Sequence, residues 1–343
     1  MKDKNKKKKK NKKRRILLCL LMICLTGVVL STSTYAWFTA NQTVTVSDIN
    51  VTVSSANGVQ VSVDAINWKT VISNDDIINA VNTYATAVNQ LPTGSNTLSP
   101  VSTIGEIDTA SGLMKMFSGE IVSTDSGSNI LKATRSTETN GTTGNFVAFD
   151  LFVQVTEQTD IYLTSNSKVV ANGTSSGIEN AARMGFIVVG NSPAGTAAGT
   201  VQAMKATTGS EPVYLWELNN DAHTAAGAKN ASDVYGKTTN AGTGNEALPY
   251  YGVKAEISEG DAVALNSTSD TYFKAIGFTG NNFSTATSGI PTTAYHKLHT
   301  LSPGITKIRV YMWVEGQDVD CENYASGGSI TYSLQLSRNT ASA

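Results

Sequence analysis

Side chains that could bind a metal ion are densest in the acidic stretch 315–323, which reads EGQDVDCEN. Its carboxylates could supply oxygen ligands to Ca²⁺, which takes six to eight oxygens. They belong to Glu315, Asp318, Asp320 and Glu322. The spacing does not match the helix–loop–helix calcium motif, and a solvated acidic loop explains the same residues. The sequence therefore favours a protein without a cofactor, with calcium at this loop kept as an alternative.

Residues that could support catalysis are sparse in this chain. His296 and His299 are three positions apart, whereas a zinc protease helix needs a spacing of four with a glutamate between the histidines. Cys321 lies among acidic residues, which raise the pKa of a thiol and suppress its reactivity. A glycine-rich phosphate loop with its lysine is absent. These observations predict that the protein is not an enzyme.

Alternating residues predict the strands that must position these side chains. Three long runs alternate between apolar and polar residues with a period of two: Phe146–Val155, Ile305–Glu315 and Ile330–Leu336. In the second run, the alternation places apolar residues toward the core and Lys307, Arg309 and Glu315 toward solvent. One apolar and one polar face is typical of antiparallel sheets packed over a single core.

Strand patterns near both ends of residues 37–343 indicate a single domain. Val44 and Val46 alternate, and residues 49–53 continue the alternation in the opposite phase. This amino-terminal run and the run at 330–336 are both strong, so we expect them to meet in the same sheets. Residues 37–343 are therefore predicted to form one large antiparallel β-sandwich.

A single short helix interrupts the strand pattern. Ser73 and Asp76 form a capping box, and apolar residues follow at helical spacing, which predicts a helix over 73–88. Long polar stretches rich in Gly, Ala, Thr and Asn are predicted to be insertions into the sandwich, near 65–140 and 190–300.

The first 36 residues have the layout of a secretory signal: basic residues 1–15, apolar residues 16–30 and small polar residues 31–36. Cleavage after Ala36 would place Thr34 and Ala36 at positions −3 and −1 and leave Trp37 as the new amino terminus. The alternative is an uncleaved anchor extended through Ala40, because the apolar segment alone reaches only about 22 Å as a helix. We expect membrane contact before processing, an export signal peptidase as a partner, and a secreted, extracellular or cell-surface destination.

Charge is segregated along the chain. Residues 1–15 contain nine lysines, two arginines and one acidic residue. The remaining residues contain 15 basic and 26 acidic side chains, which leaves a net charge of −11 on 16–343. This acidic balance argues against nucleic acid as a partner of the exported part.

The signal junction resembles a known family. Residues 33–39, which read STYAWFT, are similar to the Thr-x-Ala-x-Phe pattern that follows an apolar helix in the TasA/camelysin group of exported Gram-positive proteins. The resemblance implies cleavage by a dedicated signal peptidase and a jelly-roll-like sandwich. It also implies assembly into biofilm-matrix fibres, in which the freed amino-terminal strand of one subunit completes the sheet of the next.

Strand donation is also plausible on physical grounds. After cleavage, Trp37–Val46 would be a free segment without charged side chains, in which Val44 and Val46 could fill pockets along an exposed sheet edge. The same segment could instead pair within its own sheet, as a first strand commonly does. We predict an exported, self-associating, non-enzymatic structural protein. The alternative is a secreted adhesin or carbohydrate-binding module that uses exposed aromatic residues, with these candidates: Trp68, Trp216, Tyr250, Tyr251 and Trp313.

Overall fold

Strands dominate the part of the chain that the structure describes. This computed structural model describes residues 49–56, 59–80, 84, 89–92, 98–123, 129–229, 248, 250–261, 263–264, 268–278, 282–284, 296–321 and 327–338. The following predicted site residues lie outside those ranges: Thr34, Ala36, Trp37, Val44, Val46 and Glu322. Within the described ranges, no helix is long and apolar enough to cross a membrane.

The described strands are numbered in chain order. The first ten are β1 (Ile49–Ser55), β2 (Gln60–Ser62), β3 (Val71–Ile72), β4 (Val101–Ser102), β5 (Ile107–Asp108), β6 (Leu113–Met114), β7 (Met116–Ser123), β8 (Asn129–Ser136), β9 (Val147–Val155) and β10 (Thr159–Leu163). The others are β11 (Lys168–Ala171), β12 (Ala182–Ser192), β13 (Val213–Glu217), β14 (Tyr251–Val253), β15 (Phe273–Ala275), β16 (Asn282–Ser284), β17 (His296–Leu301), β18 (Gly304–Val314) and β19 (Ile330–Ser337). The helices are α1 (Asn74–Asn79), α2 (Ala198–Gln202) and two 3₁₀ helices, Ile178–Ala181 and Glu259–Asp261.

Most of the strands form two six-stranded sheets. Sheet A has the order β17-β10-β19-β1-β3, with β11 also paired to β19, and sheet B has the order β16-β13-β12-β18-β9-β2. The chain crosses repeatedly between them: β9 in sheet B precedes β10 in sheet A, and β18 in sheet B precedes β19 in sheet A. The Tyr332 hydroxyl on β19 joins the sheets by donating a hydrogen bond to the Trp313 carbonyl on β18 at 2.9 Å. The prediction of an all-β sandwich is confirmed.

The first and last described strands lie side by side. β1 pairs with β19 over seven residue pairs, from Ile49 with Ile330 to Ser55 with Leu336. The expectation that the terminal strands meet in one sheet is therefore confirmed. The pairing is parallel, however, and so is that of β13 with β16, which makes both sheets mixed rather than purely antiparallel.

The register of the long strands explains the core between the sheets. On β18, Ile308 and Val310 lie opposite Leu151 and Phe149 of β9, and Val310 also lies opposite Phe186 of β12. All five side chains are fully or almost fully buried. Because complete burial of one such side chain contributes about 1.5–3 kcal/mol, this matched alternation fixes the order β12-β18-β9.

The opposite face of sheet B is buried as well, which corrects one prediction. Lys307, Arg309 and Glu315 are 7%, 3% and 0% exposed, although the alternation predicted that they face solvent. Insertion residues cover this face and pack on Tyr311 and Trp313: Val101, Ile107, Met114, Met116, Tyr250 and Ile276. The polar stripe of β18 therefore lies between two layers of the protein.

The helix predicted over 73–88 is present at its start, Tyr84 lies outside any helix, and residues 81–83 and 85–88 lie outside the described ranges. α1 covers only Asn74–Asn79, and the Ser73–Asp76 capping box is present in both directions. Ile77 is fully buried, and the amide side chain of Asn89 donates to its carbonyl at 3.3 Å. The described part of the chain also contains α2 and the two 3₁₀ helices, none of which the sequence predicted.

Candidate functional site

The acidic stretch after β18 turns into the interior of the protein. Glu315, Asp318 and Asp320 are 0%, 3% and 0% exposed. The Asp318 amide donates to the Glu315 carbonyl at 3.1 Å, and the Glu315 amide donates to the Ala181 carbonyl at 2.8 Å. The predicted solvated loop is therefore wrong for these three carboxylates, because their turn is anchored to the backbone that precedes β12.

Two neighbouring strands bring further charged side chains to this turn. Arg183 on β12 lies opposite Glu217 on β13 and opposite Trp313 on β18. The guanidinium nitrogen Nη2 of Arg183 forms ion pairs with both Glu217 and Asp318. Its carbon Cζ lies 5.0 Å from the centre of the Tyr250 ring, a cation–π distance. One buried guanidinium thus joins β12, β13 and the turn after β18.

The loop after β13 adds a buried histidine. Nδ1 of His223 lies 2.9 Å from Oδ2 of Asp320, and both side chains are fully buried. Oδ1 of Asp320 accepts hydrogen bonds from the Thr224 amide at 2.9 Å and from the Thr224 hydroxyl at 2.7 Å. We call the following group the acidic cluster: Arg183, Glu217, His223, Glu315, Asp318 and Asp320.

The pKa values in the acidic cluster reflect an excess of buried negative charge. Burial raises the pKa of Glu315 to about 7, against hydrogen bonds from Ser102 and Trp313 that lower it. Burial also raises the pKa of Glu217 and of Asp320, and the charge of Asp318 adds to both shifts. Burial lowers the pKa of His223, but the hydrogen bond to Asp320 and the nearby carboxylates outweigh it and raise that pKa to about 9. Cations are thus favoured at this site and carboxylate charge is disfavoured.

A second buried group of charges lies on the same face of sheet B and is balanced. Nη1 of Arg309 lies 3.2 Å from Oδ1 of Asp150, and its Nη2 pairs with Glu138. Nζ of Lys307 lies 3.1 Å from Oδ2 of Asp150, which also accepts a hydrogen bond from the Tyr84 hydroxyl at 2.8 Å. Burial alone would raise the pKa of Asp150. The charges of Arg309 and Lys307 lower it by more, so the pKa lies below its usual value. These two cations and two carboxylates need no external partner.

Described residues cover only part of the edge of sheet A beside β1. β3 pairs with β1 at two positions, Val53 with Ile72 and Ser54 with Val71. Within the described residues, no strand pairs with residues 49–52 on that side, although the Val51 amide donates to the Asn74 side chain at 2.7 Å. Val71, on β3 at this edge, is 51% exposed, and Ile66, in the loop that leads to β3, is 54% exposed. We call this region, made of residues 49–55 and 66–72, the β1–β3 edge.

No protein-family model, curated protein or solved structure matches this chain. The resemblance of the signal junction to the TasA/camelysin group therefore stays a prediction from residues 33–39.

The two closely spaced histidines pack against aromatic rings instead of converging on a ligand. His299 Nδ1 lies 2.8 Å from the Tyr214 hydroxyl, and the His296 ring stacks on Phe283 with 5.6 Å between ring centres. Burial lowers the pKa of both imidazoles, with a smaller contribution from Lys297 at His299. These histidines fasten β17 to β13 and β16.

A Gly-x-Ser-x-Gly sequence occurs at residues 173–177, a spacing found in many serine hydrolases. Here it lies between β11 and the following 3₁₀ helix. The Ser175 hydroxyl donates to the carboxylate of Glu179, and its oxygen accepts from the Gly177 amide at 3.3 Å. The three histidines of the chain have the other partners given above, and none of them hydrogen-bonds to Ser175.

The aromatic residues proposed for a carbohydrate platform are mostly inside the protein. Trp216 and Trp313 are fully buried and Tyr250 is 3% exposed, while Trp68 and Tyr251 are half-buried. A cavity of about 450 Å³ lies beside Lys307, Arg309 and Asp150, but its described lining contains no aromatic residue. The prediction that Trp216, Tyr250 and Trp313 are exposed is therefore wrong.

Sequence reasoning missed Arg183, Glu217, His223 and Asp150 as members of buried clusters. A usable signal was present, since three of them stand inside apolar runs: ARMGFIVV, VYLWEL and FVAFDLFV. A charge in the middle of a buried strand requires a charged or hydrogen-bonding partner. The identity of each partner depends on strand order, which the local pattern does not contain.

Proposed function

We propose that this protein is an exported, non-enzymatic structural protein of the cell surface or extracellular matrix that self-associates through the β1–β3 edge. The edge of sheet A that described residues cover only in part, with the exposed side chain of Val71 beside it, is the observation that carries this proposal. Unpaired backbone groups at a sheet edge accept an additional strand, and adjacent apolar side chains strengthen that contact.

The occupant that we propose for the edge is the amino-terminal segment of a second copy. Residues 37–46 carry no charged side chain, and Val44 and Val46 alternate as an added strand requires. In its own copy, the segment leads directly into β1 at Ile49. To lie antiparallel beside β1 it would need a tight turn at Ser47-Asp48, which lacks the Gly or Asn-Gly residues that such turns favour. A second copy meets no such restriction.

A lysine on the edge tests this proposal. We expect Val71→Lys to abolish assembly, because a charged side chain on an edge strand opposes pairing with another chain. The stability of the subunit should change little, since Val71 is half exposed. The protein is produced from the full-length gene in a Gram-positive host, and its size is measured by analytical ultracentrifugation and negative-stain electron microscopy over a range of concentrations.

Ala275→Lys is the matched control, because Ala275 is also an exposed strand residue but lies on β15, away from the edge. The control should assemble as the unchanged protein does. Monomers of the unchanged protein at every concentration would contradict self-association. Assembly of Val71→Lys equal to that of the control would contradict the proposed edge.

The alternative function, an adhesin or carbohydrate-binding module, has narrower support. Trp68 and Tyr251 are the two half-buried members of the proposed platform, and the cavity beside Lys307 has a volume typical of small-ligand sites. A glycan that binds and changes tryptophan fluorescence in the unchanged protein, but not in Trp68→Ala, would favour this function.

A further inference from the structure

The acidic cluster also has the composition and geometry of a metal centre. We propose that it binds one divalent transition-metal ion through His223, Asp318, Asp320 and Glu217. This inference goes beyond assembly at the β1–β3 edge, because the cluster lies on sheet B and uses none of the edge residues.

Three of the proposed ligands already converge. One ligand atom from each of His223, Asp318 and Asp320 lies within 4.8 Å of the other two, and all three residues are buried. Nδ1 of His223 and Oδ2 of Asp320 are 2.9 Å apart. This separation suits a hydrogen bond, and it also suits two adjacent ligands of one ion, since nitrogen and oxygen ligands lie about 2.1 Å from such a metal.

Glu217 is the fourth proposed ligand and comes from a different strand. Its carboxylate and that of Asp318 contact the same nitrogen of Arg183, so the two groups lie close together. Glu217 is completely buried; its Oε1 pairs with Arg183, but its Oε2 accepts no hydrogen bond from the described part of the chain. Such an atom is costly inside a protein unless a ligand satisfies it.

The charges of the cluster also call for a cation. The side chains of Glu217, Glu315 and Asp318 face one guanidinium, that of Arg183, and Asp320 pairs with His223. Even with His223 protonated, the four carboxylate groups outnumber the two cations of the cluster by two in the described region. A divalent ion would neutralise this excess. The group around Arg309 shows the contrast, because its two cations and two carboxylates balance without an ion.

The donor set favours a transition metal over calcium. Ca²⁺ takes oxygen ligands, whereas zinc and its neighbours accept imidazole nitrogen together with carboxylates. Glu315, which the sequence offered as a calcium ligand, is not one of the three converging residues, and its oxygens accept hydrogen bonds from Nε1 of Trp313 at 3.0 Å and from the Gln317 amide at 3.0 Å.

Metal titration of the untagged protein tests the proposal. The protein is produced from the full-length gene in a Gram-positive host and dialysed against a chelator. Zn²⁺, Mn²⁺ and Ca²⁺ are then added separately in an isothermal titration calorimeter. We expect one Zn²⁺ or Mn²⁺ per chain, bound at least about 100-fold more tightly than Ca²⁺, with a rise in the melting temperature when the ion is present.

Variants locate the ion. His223→Gln and Glu217→Gln should each weaken metal binding at least about tenfold, because each removes a proposed ligand of the ion. Glu138→Gln is the matched control, because it removes a buried carboxylate from the balanced group, and it should bind the metal as the unchanged protein does. Circular dichroism reports whether each variant is folded. If a variant does not fold, electron spin-echo spectroscopy of the Mn²⁺-loaded unchanged protein should still detect an imidazole nitrogen at the ion.

Three results would overturn the proposal. The first is the absence of any bound ion in the chelator-treated unchanged protein. The second is unchanged affinity in folded His223→Gln and Glu217→Gln, or no nitrogen coupling to Mn²⁺. The third is a site selective for Ca²⁺ and unaffected by His223→Gln, which would replace a transition-metal centre with a calcium site.

Discussion

Arg183→Met is expected to lower the free energy of unfolding by about 3–5 kcal/mol, the usual cost of breaking a buried ion pair by removing one partner. Arg183 is 1% exposed and is the guanidinium that both Glu217 and Asp318 contact. Methionine fills a similar volume but leaves both carboxylates in the interior without their cation. Since these residues join β12, β13 and the turn after β18, the loss should affect all of sheet B.

Urea unfolding followed by tryptophan fluorescence, with a chelator present, measures this effect. Arg338→Met is the control, because Arg338 pairs with Glu157 at the surface, where the two side chains are 49% and 74% exposed. Exposed ion pairs contribute little, so the control should unfold at nearly the same urea concentration as the unchanged protein. Equal midpoints for the two variants would mean that the acidic cluster does not hold sheet B together.

Gly304→Ala is expected to cost about 2–4 kcal/mol of stability, because the first residue of β18 has no room for a side chain. Its φ angle is +120°, which residues other than glycine rarely adopt. A Cβ atom there would lie 2.1 Å from the Ser192 carbonyl oxygen, and the next nearest atoms also belong to backbone. Relief of that clash would require β12 and β18 to move apart at the end of their pairing.

Gly199→Ala is the matched control for this effect. Gly199 lies in α2, and a Cβ atom there meets nothing within 4 Å. Alanine should stabilise the helix by about 0.5–1 kcal/mol relative to glycine. Thermal unfolding by circular dichroism should therefore show opposite shifts for the two substitutions. An unchanged melting temperature for Gly304→Ala would contradict the close approach of β12 and β18.

The local pattern of the sequence was sufficient for the long strands. β9, β18 and β19 alternate with a period of two, and their apolar positions are buried as the alternation predicts. The capping box at Ser73 was also predictable, because it needs only residues three apart. The end of α1 after Asn79 was not predictable, because the apolar residues continue at helical spacing to residue 88.

The buried polar face could not be predicted from alternation, because alternation shows only that two faces differ. Whether Lys307 and Arg309 are exposed to solvent depends on the insertions that cover sheet B. These insertions come from distant parts of the chain. The acidic cluster likewise depends on residues that are far apart in the sequence. The loop at 315–321 is acidic by sequence, but its burial depends on Arg183 and on the order β13-β12-β18.

The identity of the amino-terminal residue is the most direct test of the account, because an added strand requires a free segment before β1. We expect mass spectrometry of the protein recovered from the cell surface or culture medium to find Trp37 as the first residue. A chain that begins at Met1, or recovery of the protein only from the cytosol, would contradict export and the release of this strand.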